Sequence, residues 1–258
     1  MWLRGNWWLR CGALVVAMVA AFAPPAAARI TKTRPSPSDS WAVGLPLVIG
    51  GGFEFETDKS QSQYDFPFLL EYSFSEQLKL TIEPNVSYIE SKTKDVRSVA
   101  GFGNIETSAQ WEFVRERRYR PGFTLEGLIR WPTATSPDLG SRKFDYGVGM
   151  LLSKDLAVID LDLDLLYTFV GERQEQNPLE IACSAEIPVV NHLLSLVGEV
   201  VHTVGTGAGL GTTHQTEGTF GVVWQVNRFL KLEIGYSLKN HLDGQVVTAW
   251  EWSFAGED

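Results

Sequence analysis

The chain has 258 residues, of which 44% are hydrophobic and 21% are charged, a length that fits one domain or a tight pair of domains. The 31 acidic residues outnumber the 22 basic ones, and the formal net charge of −9 argues against nucleic acid as a partner. After residue 28, no stretch reaches the ~20 consecutive apolar residues that a membrane-spanning helix needs.

Residues 1–28 have the three parts of a secretory signal peptide. Two arginines form a positive region, an apolar stretch runs from Cys11 to Phe22, and Ala26-Ala27-Ala28 form a small-residue cleavage site. We expect cleavage before Arg29, with an uncleaved N-terminal anchor as the alternative. Cleavage removes two positive charges, so it changes the formal net charge from −9 to −11.

The next segment, residues 29–46, is polar, contains proline and serine, and shows no periodicity. We expect it to form an N-terminal tail in the periplasm. After this segment, apolar and polar residues alternate in stretch after stretch, as in Tyr64–Phe74, Leu78–Tyr88 and Phe229–Leu238. Because a strand sends successive side chains to opposite sides, each stretch has one apolar face and one polar face.

The alternation predicts twelve strands, each close to the ~9–11 residues that cross a bilayer obliquely. Short turns alternate along the chain with longer loops, which are expected at 58–63, 91–100, 132–142, 171–177, 205–213 and 239–245. The strands are expected near 47–57, 64–74, 77–90, 101–113, 120–131, 143–153, 157–170, 178–188, 192–204, 214–226, 229–238 and 246–254.

These features predict an all-β fold, a transmembrane antiparallel up-and-down β-barrel over residues 47–254 with a short C-terminal tail at 255–258. An even number of strands with short turns on one side places both termini in the periplasm of a Gram-negative cell. The barrel would then lie in the cell outer membrane, with outer-membrane lipid around it.

The apolar faces are rich in aromatic residues, among them Trp111, Phe113 and Trp131. Many lie near strand ends, which is typical of the aromatic girdles at the two membrane interfaces. The core of a soluble β protein, which also contains aromatic residues, is the alternative. The last strand ends on Trp250, Trp252 and Phe254, a pattern that the barrel-assembly machinery would recognise.

The polar faces carry far more carboxylates than cations. Glu56, Asp65, Glu112, Asp145, Glu180, Glu186, Glu199 and Glu251 are further acids in this phase, with Lys143 as a further cation. A charge that faces hydrocarbon costs several kcal/mol, so these side chains are expected to face the lumen. Either the lumen is wet and attracts cations, or several carboxyls are protonated and share hydrogen bonds. The predicted lumen-lining residues are Glu54, Glu71, Lys79, Glu83, Glu106, Glu126, Arg130, Asp160, Asp162, Asp164, Glu217, Lys231 and Glu233.

Asp160, Asp162 and Asp164 alternate with leucines, so all three carboxylates lie on one face at a spacing of ~6.6–7 Å. The run could be a cation site or a selectivity stripe. Calcium needs about six to eight oxygen ligands, which one strand cannot supply alone. A solvated stripe, or one paired with Arg130 or Lys79, is therefore favoured over a dedicated metal site.

We find no pattern that indicates catalysis or a cofactor. His192, His202, His214 and His241 lack metal-ligand spacing, and none belongs to a compact motif of a lipid hydrolase. The glycine-rich stretch from Gly205 to Gly211 does not match a phosphate-binding loop, and we expect it to be a flexible outer loop.

A resemblance to a known family rests on Gly101-Phe102-Gly103-Asn104-Ile105, Arg120-Pro121-Gly122-Phe123, Trp131-Pro132-Thr133 and Ser153-Lys154. These motifs resemble outer-membrane barrels of the phenol-degradation-pathway (MetA-type) transporter family. Members tend to show a Gly-x-Gly-Asp step, a Pro-Thr-Gly loop and a Ser-Lys turn. Asn104 stands in place of that aspartate, and Ala134 in place of that glycine. The resemblance implies a channel for aromatic or other small hydrophobic compounds.

The sequence therefore predicts an outer-membrane channel that passes small solutes through an acidic lumen, with no enzymatic activity, cofactor or metal site. A closed barrel that serves as an anchor or interaction platform is the alternative. An outer-membrane lipid hydrolase is a third, less favoured function.

Overall fold

The fold is described from a computed structural model of the chain, which covers residues 47–93, 97–172, 175–190, 193–207, 211–227, 229–239 and 244–254. The predictions for the signal peptide, the N-terminal tail and the C-terminal tail fall outside these residues, as do those for His192 and His241. No helix among the described residues is long and apolar enough to cross a membrane.

The described residues form fourteen strand segments in one antiparallel sheet. β1 pairs with both β14 and β2, so the sheet is closed into a barrel. Two of the strands are interrupted: β3 continues as β4, and β5 continues as β6. The fourteen segments therefore form the twelve predicted strands of a closed barrel, which confirms the predicted fold class. The segments are β1 Leu47–Thr57, β2 Gln61–Ser75, β3 Leu78–Glu83, β4 Asn85–Ser91, β5 Val99–Phe102, β6 Ile105–Val114, β7 Gly122–Trp131, β8 Asp145–Asp155, β9 Asp160–Phe169, β10 Asn177–Val190, β11 Leu194–Gly207, β12 Gly211–Gln225, β13 Leu230–Lys239 and β14 Gly244–Phe254.

The first and last strands form the closing seam of the barrel. Leu47 lies opposite Phe254, and the pairing continues without a shift to Glu56 and Gln245. The start of β1 and the end of β14 therefore share one end of the barrel with the β2–β3 turn, which we call the turn end. The opposite end, where β1 connects to β2, is called the loop end. Three glycines, at 50–52, lie in the middle of the seam.

Two predicted strands, 77–90 and 101–113, are interrupted rather than continuous. The first breaks at Pro84, which has no backbone N–H to donate to a neighbouring strand. The second breaks at Gly103 and Asn104, directly across from this proline region, where the Gly103 amide donates to the Asn85 carbonyl at 2.9 Å. The two breaks face each other, so the wall has one local irregularity instead of two.

The loop between β7 and β8 is hydrogen-bonded to this irregularity. The Thr133 hydroxyl donates to the Gly103 carbonyl at 3.1 Å, and the Ala134 amide donates to Asn104 Oδ1 at 3.1 Å. Asn104 and Ala134 are the two positions at which the sequence departs from the family pattern. An aspartate at position 104 would accept the same hydrogen bond, so the departure preserves this contact.

Several predicted strand boundaries differ from the structure by two residues or more, as at the β11–β12 loop and at the start of β9. The predicted outer loop at 205–213 is wrong in extent, because β11 continues to Gly207 and β12 begins at Gly211. Gly205 lies opposite Thr213, so the ladder continues through residues that can all adopt extended backbone. β9 begins at Asp160 rather than near 157, because Ala157 has a φ of 67°, a left-handed conformation that ends the preceding turn.

Exposure alternates along the strands and distinguishes the two faces of the wall. In β6, Ser108, Gln110 and Glu112 are buried, whereas Trp111 and Phe113 are exposed. In a closed single-layer barrel, the enclosed side chains point inward and the exposed ones point outward. The large apolar residues therefore cover the outer face, and the polar residues cover the inner face, as in membrane barrels.

Replacing Ile82 by glutamate should harm folding more than replacing Glu83 or Asp162 by leucine. Ile82 lies opposite Leu70 and Thr107 on the outer face, where a carboxylate at hydrocarbon depth costs ~2–3 kcal/mol. The fraction of folded barrel can be measured from gel mobility of unheated samples after refolding into lipid vesicles. Equal losses in all three variants would show that the two faces are assigned the wrong way round.

Candidate functional site

The inner face is the candidate site, and the predicted lumen-lining residues are enclosed to different degrees. Glu71, Lys79, Glu126, Glu217 and Glu233 are buried, and Asp160 is exposed at the turn end. The half-buried members are Glu54, Glu83, Glu106, Arg130, Asp162, Asp164 and Lys231.

The driest part of the inner face spans β2, β3, β6 and β7. Cross-strand register joins these side chains, because Lys79 lies opposite both Ser73 and Gln110, and Gln110 lies opposite Glu126. None of them is more than 4% exposed. We call this group the dry cluster; its members are Glu71, Ser73, Lys79, Gln110, Glu112, Thr124 and Glu126.

An ion pair and a hydrogen bond are at the centre of the dry cluster. Lys79 Nζ lies 3.3 Å from Glu71 Oε2, with both side chains at most 2% exposed. The Gln110 amide donates to Glu126 Oε1 at 3.3 Å. At such low exposure an ion pair matters to stability, because removing one member takes away an ionic contact that water cannot replace. The dry cluster therefore holds four strands together through polar contacts on the inside of the barrel.

A second ionic group lies nearer the loop end. Arg130 on β7 contacts Glu106 on β6 at 3.0 Å and Asp145 on β8 at 3.6 Å. Asp145 also accepts a hydrogen bond from the Gly171 amide at 2.9 Å. The Arg130 guanidinium thus joins three neighbouring strands. Asp145 also binds the chain that follows β9, through the Gly171 amide.

A third group of contacts joins β13 and β14 to β1. Lys231 Nζ lies 2.8 Å from Glu233 and 2.9 Å from Glu251, near the turn end. Near the loop end, Lys239 Nζ lies 2.5 Å from Glu56 and reaches across β14 to do so. These pairs surround the closing seam.

Lys239 was missed by sequence reasoning, and Lys143 was misplaced. Lys239 shares the inward phase of Lys231 and Glu233, but it lies one residue beyond the predicted end of its strand. The alternation would have found it if the strand had been extended. Lys143 precedes β8 in a loop, pairs with Glu172 at 3.2 Å, and is 51% exposed, so it does not belong to the inner face.

Aspartates dominate the inner face of β9. Asp162 lies between Ser153 of β8 and Ser184 of β10, and Ser184 in turn lies opposite Glu199 of β11. Asp160 lies opposite Glu186. The acidic stripe, as we name this group, consists of Asp160, Asp162, Asp164, Glu186 and Glu199.

The cations that we expected beside the acidic stripe lie elsewhere in the barrel. Arg130 is on β7 and pairs with Glu106 and Asp145, and Lys79 is on β3, four strands away from β9 in the order β9, β8, β7, β6, β3. The prediction that Arg130 pairs with the aspartates of β9 was therefore wrong. Most of the acidic stripe is less enclosed than the dry cluster, since Asp162 and Asp164 are only half-buried, whereas Glu199 is buried.

The described histidines meet on the outer face. The rings of His202 and His214 are 5.8 Å apart, and His202 Nδ1 lies 2.9 Å from the Thr216 hydroxyl. Among the residues that the structure covers, no group of three or more His, Cys, Asp or Glu side chains is placed to hold a metal ion.

Replacing Lys79 by methionine should lower the free energy of unfolding by about 3–5 kcal/mol, because Glu71 would remain buried without its cation. The double variant Lys79→Met, Glu71→Leu should recover much of that loss. Urea titrations in lipid vesicles, followed by tryptophan fluorescence, measure both effects.

Arg115→Met is the matched control for this experiment. Arg115 pairs with Glu76 at the turn end, but both side chains are 46% exposed, so the loss should be only about 0–1 kcal/mol. A Lys79 variant as stable as the Arg115 variant would show that the dry cluster does not stabilise the barrel.

Comparisons with solved structures find outer-membrane channels of the same architecture. The chain is similar to the COG4313 outer membrane channel from Pseudomonas putida F1, with a TM-score of 0.68 and 13% identity over 86% of this chain and 100% of that one. For the NanC porin the TM-score is 0.56, with 11% identity over 81% and 98% of the two chains. For the KdgM porin in complex with disordered oligogalacturonate the TM-score is 0.55, with 9% identity over 80% and 99%.

Identities this low establish a shared fold and not a shared solute. No family profile matches the sequence, and no curated protein matches it. The chain has the fold of outer-membrane channels, and its own inner face must provide the argument for what passes through it.

Proposed function

We propose that this protein is an outer-membrane channel for small solutes, with an acidic lumen that favours cations and polar neutral molecules. The supporting observation is the composition of the inner face from β9 to β12. Among the described residues, this arc carries carboxylates and no lysine or arginine. The carboxylates are Asp160, Asp162, Asp164, Glu180, Glu186, Glu199 and Glu217.

Charges of one sign in a narrow, low-dielectric enclosure raise the local concentration of counter-ions. The Debye length at physiological ionic strength is ≈ 8 Å, so charges along one wall act together over the width of a small lumen. Rings or rows of Asp and Glu are a known basis of cation preference in channels. The inner face of β9 to β12 carries carboxylates, whereas the dry cluster is closely packed and sealed. This difference favours a water path beside β9 and β10.

The chemical class of the solute, apart from its charge, is also part of this proposal. The KdgM porin structure contains an oligogalacturonate, but an acidic lumen would repel such a polyanion in this protein. The resemblance to the MetA-type family favours small aromatic or hydrophobic compounds, which are neutral and would not meet this repulsion. Neutral aromatic solutes and small cations are therefore the two classes to test.

We place the turn end in the periplasm and the loop end outside the cell. Short turns at the periplasmic end and longer outer loops are the habit of bacterial barrels, and this arrangement puts both termini in the periplasm. Outer-membrane lipid would contact the aromatic outer face. The barrel-assembly machinery would bind β14, which ends in Trp250, Trp252 and Phe254.

A closed barrel that acts as an anchor is the second candidate, and the dry cluster favours it. Side chains such as Glu112 and Thr124, each 0% exposed, show that part of the inner face is sealed from solvent. If the remainder were sealed as well, no solute would pass. Conductance measurements separate the two candidates.

In a planar bilayer with a KCl gradient, the purified protein should give a reversal potential that indicates cation preference. The double variant Asp162→Asn, Asp164→Asn should lower the cation-to-anion permeability ratio by about twofold, because it removes two fixed charges from the wall. Asp138→Asn removes one charge from an exposed loop and should change the ratio less. Anion preference, or no current in repeated insertions, would contradict the proposal.

A further inference from the structure

The geometry points to a binding subsite for linear diammonium ions on the inner face of β9, built around Asp162 and Asp164. This inference rests on the proposed function, since the ligand reaches the subsite through the lumen. It goes further than charge preference because it assigns a place and a ligand length.

The first argument is spacing. Asp162 and Asp164 are two residues apart on one regular strand and share the inward phase, so their carboxylates are ~6.6–7 Å apart. An extended diammonium ion with four methylenes separates its two nitrogens by about 6 Å, from ordinary single-bond lengths. One such ion can therefore place one ammonium group at each aspartate without bending.

The second argument is a buried hydroxyl beside the first aspartate. Ser153 lies directly opposite Asp162 on β8, is 5% exposed, and its Oγ has no hydrogen-bond partner in the structure. A buried polar atom without a partner costs roughly 1–3 kcal/mol, which a ligand donor can relieve. An ammonium group carries three donors, so it can bond the Asp162 carboxylate and this hydroxyl together.

The third argument is a small hollow beside the second aspartate. Asp164, Glu126 and Glu180 line it together with the apolar residues Leu151, Leu165, Leu166 and Ala182. Its volume is about 30 Å³, more than the roughly 10–15 Å³ that a cavity needs to hold one water molecule. An ammonium group would fit this space and could donate to the Asp164 carboxylate.

These features favour a divalent organic cation over a metal ion. The described part of the chain has no cluster of three ligands that could hold a metal ion. Calcium needs about six to eight oxygens within bonding distance of one point, whereas alternate carboxylates on a strand are distributed along a line. A ligand with charges at two points matches a line of carboxylates, and binding at one end makes binding at the other effectively intramolecular.

The test is block of single-channel current by 1,4-diaminobutane. The matched amines are 1,2-diaminoethane, which is too short to span the two aspartates, and butylamine, which has one ammonium group. We expect 1,4-diaminobutane to block at a concentration about tenfold lower than either, since only it makes both charge-assisted contacts. Equal block by all three amines would overturn the subsite.

Aspartate variants test whether block by 1,4-diaminobutane depends on Asp162 and Asp164. Asp162→Asn and Asp164→Asn should each weaken block by 1,4-diaminobutane about tenfold and leave block by butylamine less affected. Asp65→Asn removes a carboxylate from the inner face of β2, outside the subsite, and should retain the preference for the four-carbon diamine. If Asp65→Asn weakened block as much as Asp162→Asn, the effect would be general electrostatics and the subsite would be wrong.

Two further arms separate failure of the subsite from failure of the channel. If no current is seen, calorimetric titration of the refolded protein in detergent with 1,4-diaminobutane still tests the subsite. Cation-selective current without a length preference among the amines overturns the subsite and leaves the channel intact. Length-dependent block in the channel assay, or binding of 1,4-diaminobutane in the calorimetric assay when no current is seen, supports the subsite.

Discussion

Hydrocarbon offers a backbone amide no hydrogen-bond partner, so each strand that crosses it must be paired along both edges. Pairing of β1 with both β14 and β2 meets this requirement by closing the sheet. Closure then decides what each side chain faces, since alternate positions must point to lipid and to the interior. Gln110 and Trp111 are neighbours in sequence, yet one is 1% exposed and the other 53%. The polar inner face thus follows from backbone pairing alone, whether or not a solute passes through the barrel.

The walls of the barrel could be predicted from the sequence because they depend on a period of two, which no tertiary contact has to supply. The breaks could not. Apolar and polar residues alternate straight through Pro84, so the two-residue period does not show the lost amide donor, which only the proline itself indicates. The stretch from Gly205 was expected to be a loop because glycine is common in loops, although the threonines opposite it extend the ladder. Local composition does not predict the end of a strand where pairing with the neighbouring strand determines it.

Contacts on the inner face were harder to predict than the face itself. Strand order alone places Lys79 on a wall remote from Asp162, and this much could have been inferred from the up-and-down topology. The choice of Glu71 as its ion-pair partner required the register of β2 with β3, which includes a shift near Ser73. The result is an interior with two characters. One side is dry and self-paired, whereas the other carries a row of carboxylates of which several are only half-buried.

The closing seam has a consequence for the chain as a whole. Gly50, Gly51 and Gly52 have no side chains to pack, so backbone hydrogen bonds account for more of the contact there than elsewhere. Where Leu47 and Phe254 meet, the two ends of the ring are already adjacent. Such a ring has no intrinsic first strand. Circular permutation, with the old ends joined and new ends opened in another exposed turn, would preserve every strand neighbour and every inner-face contact described above.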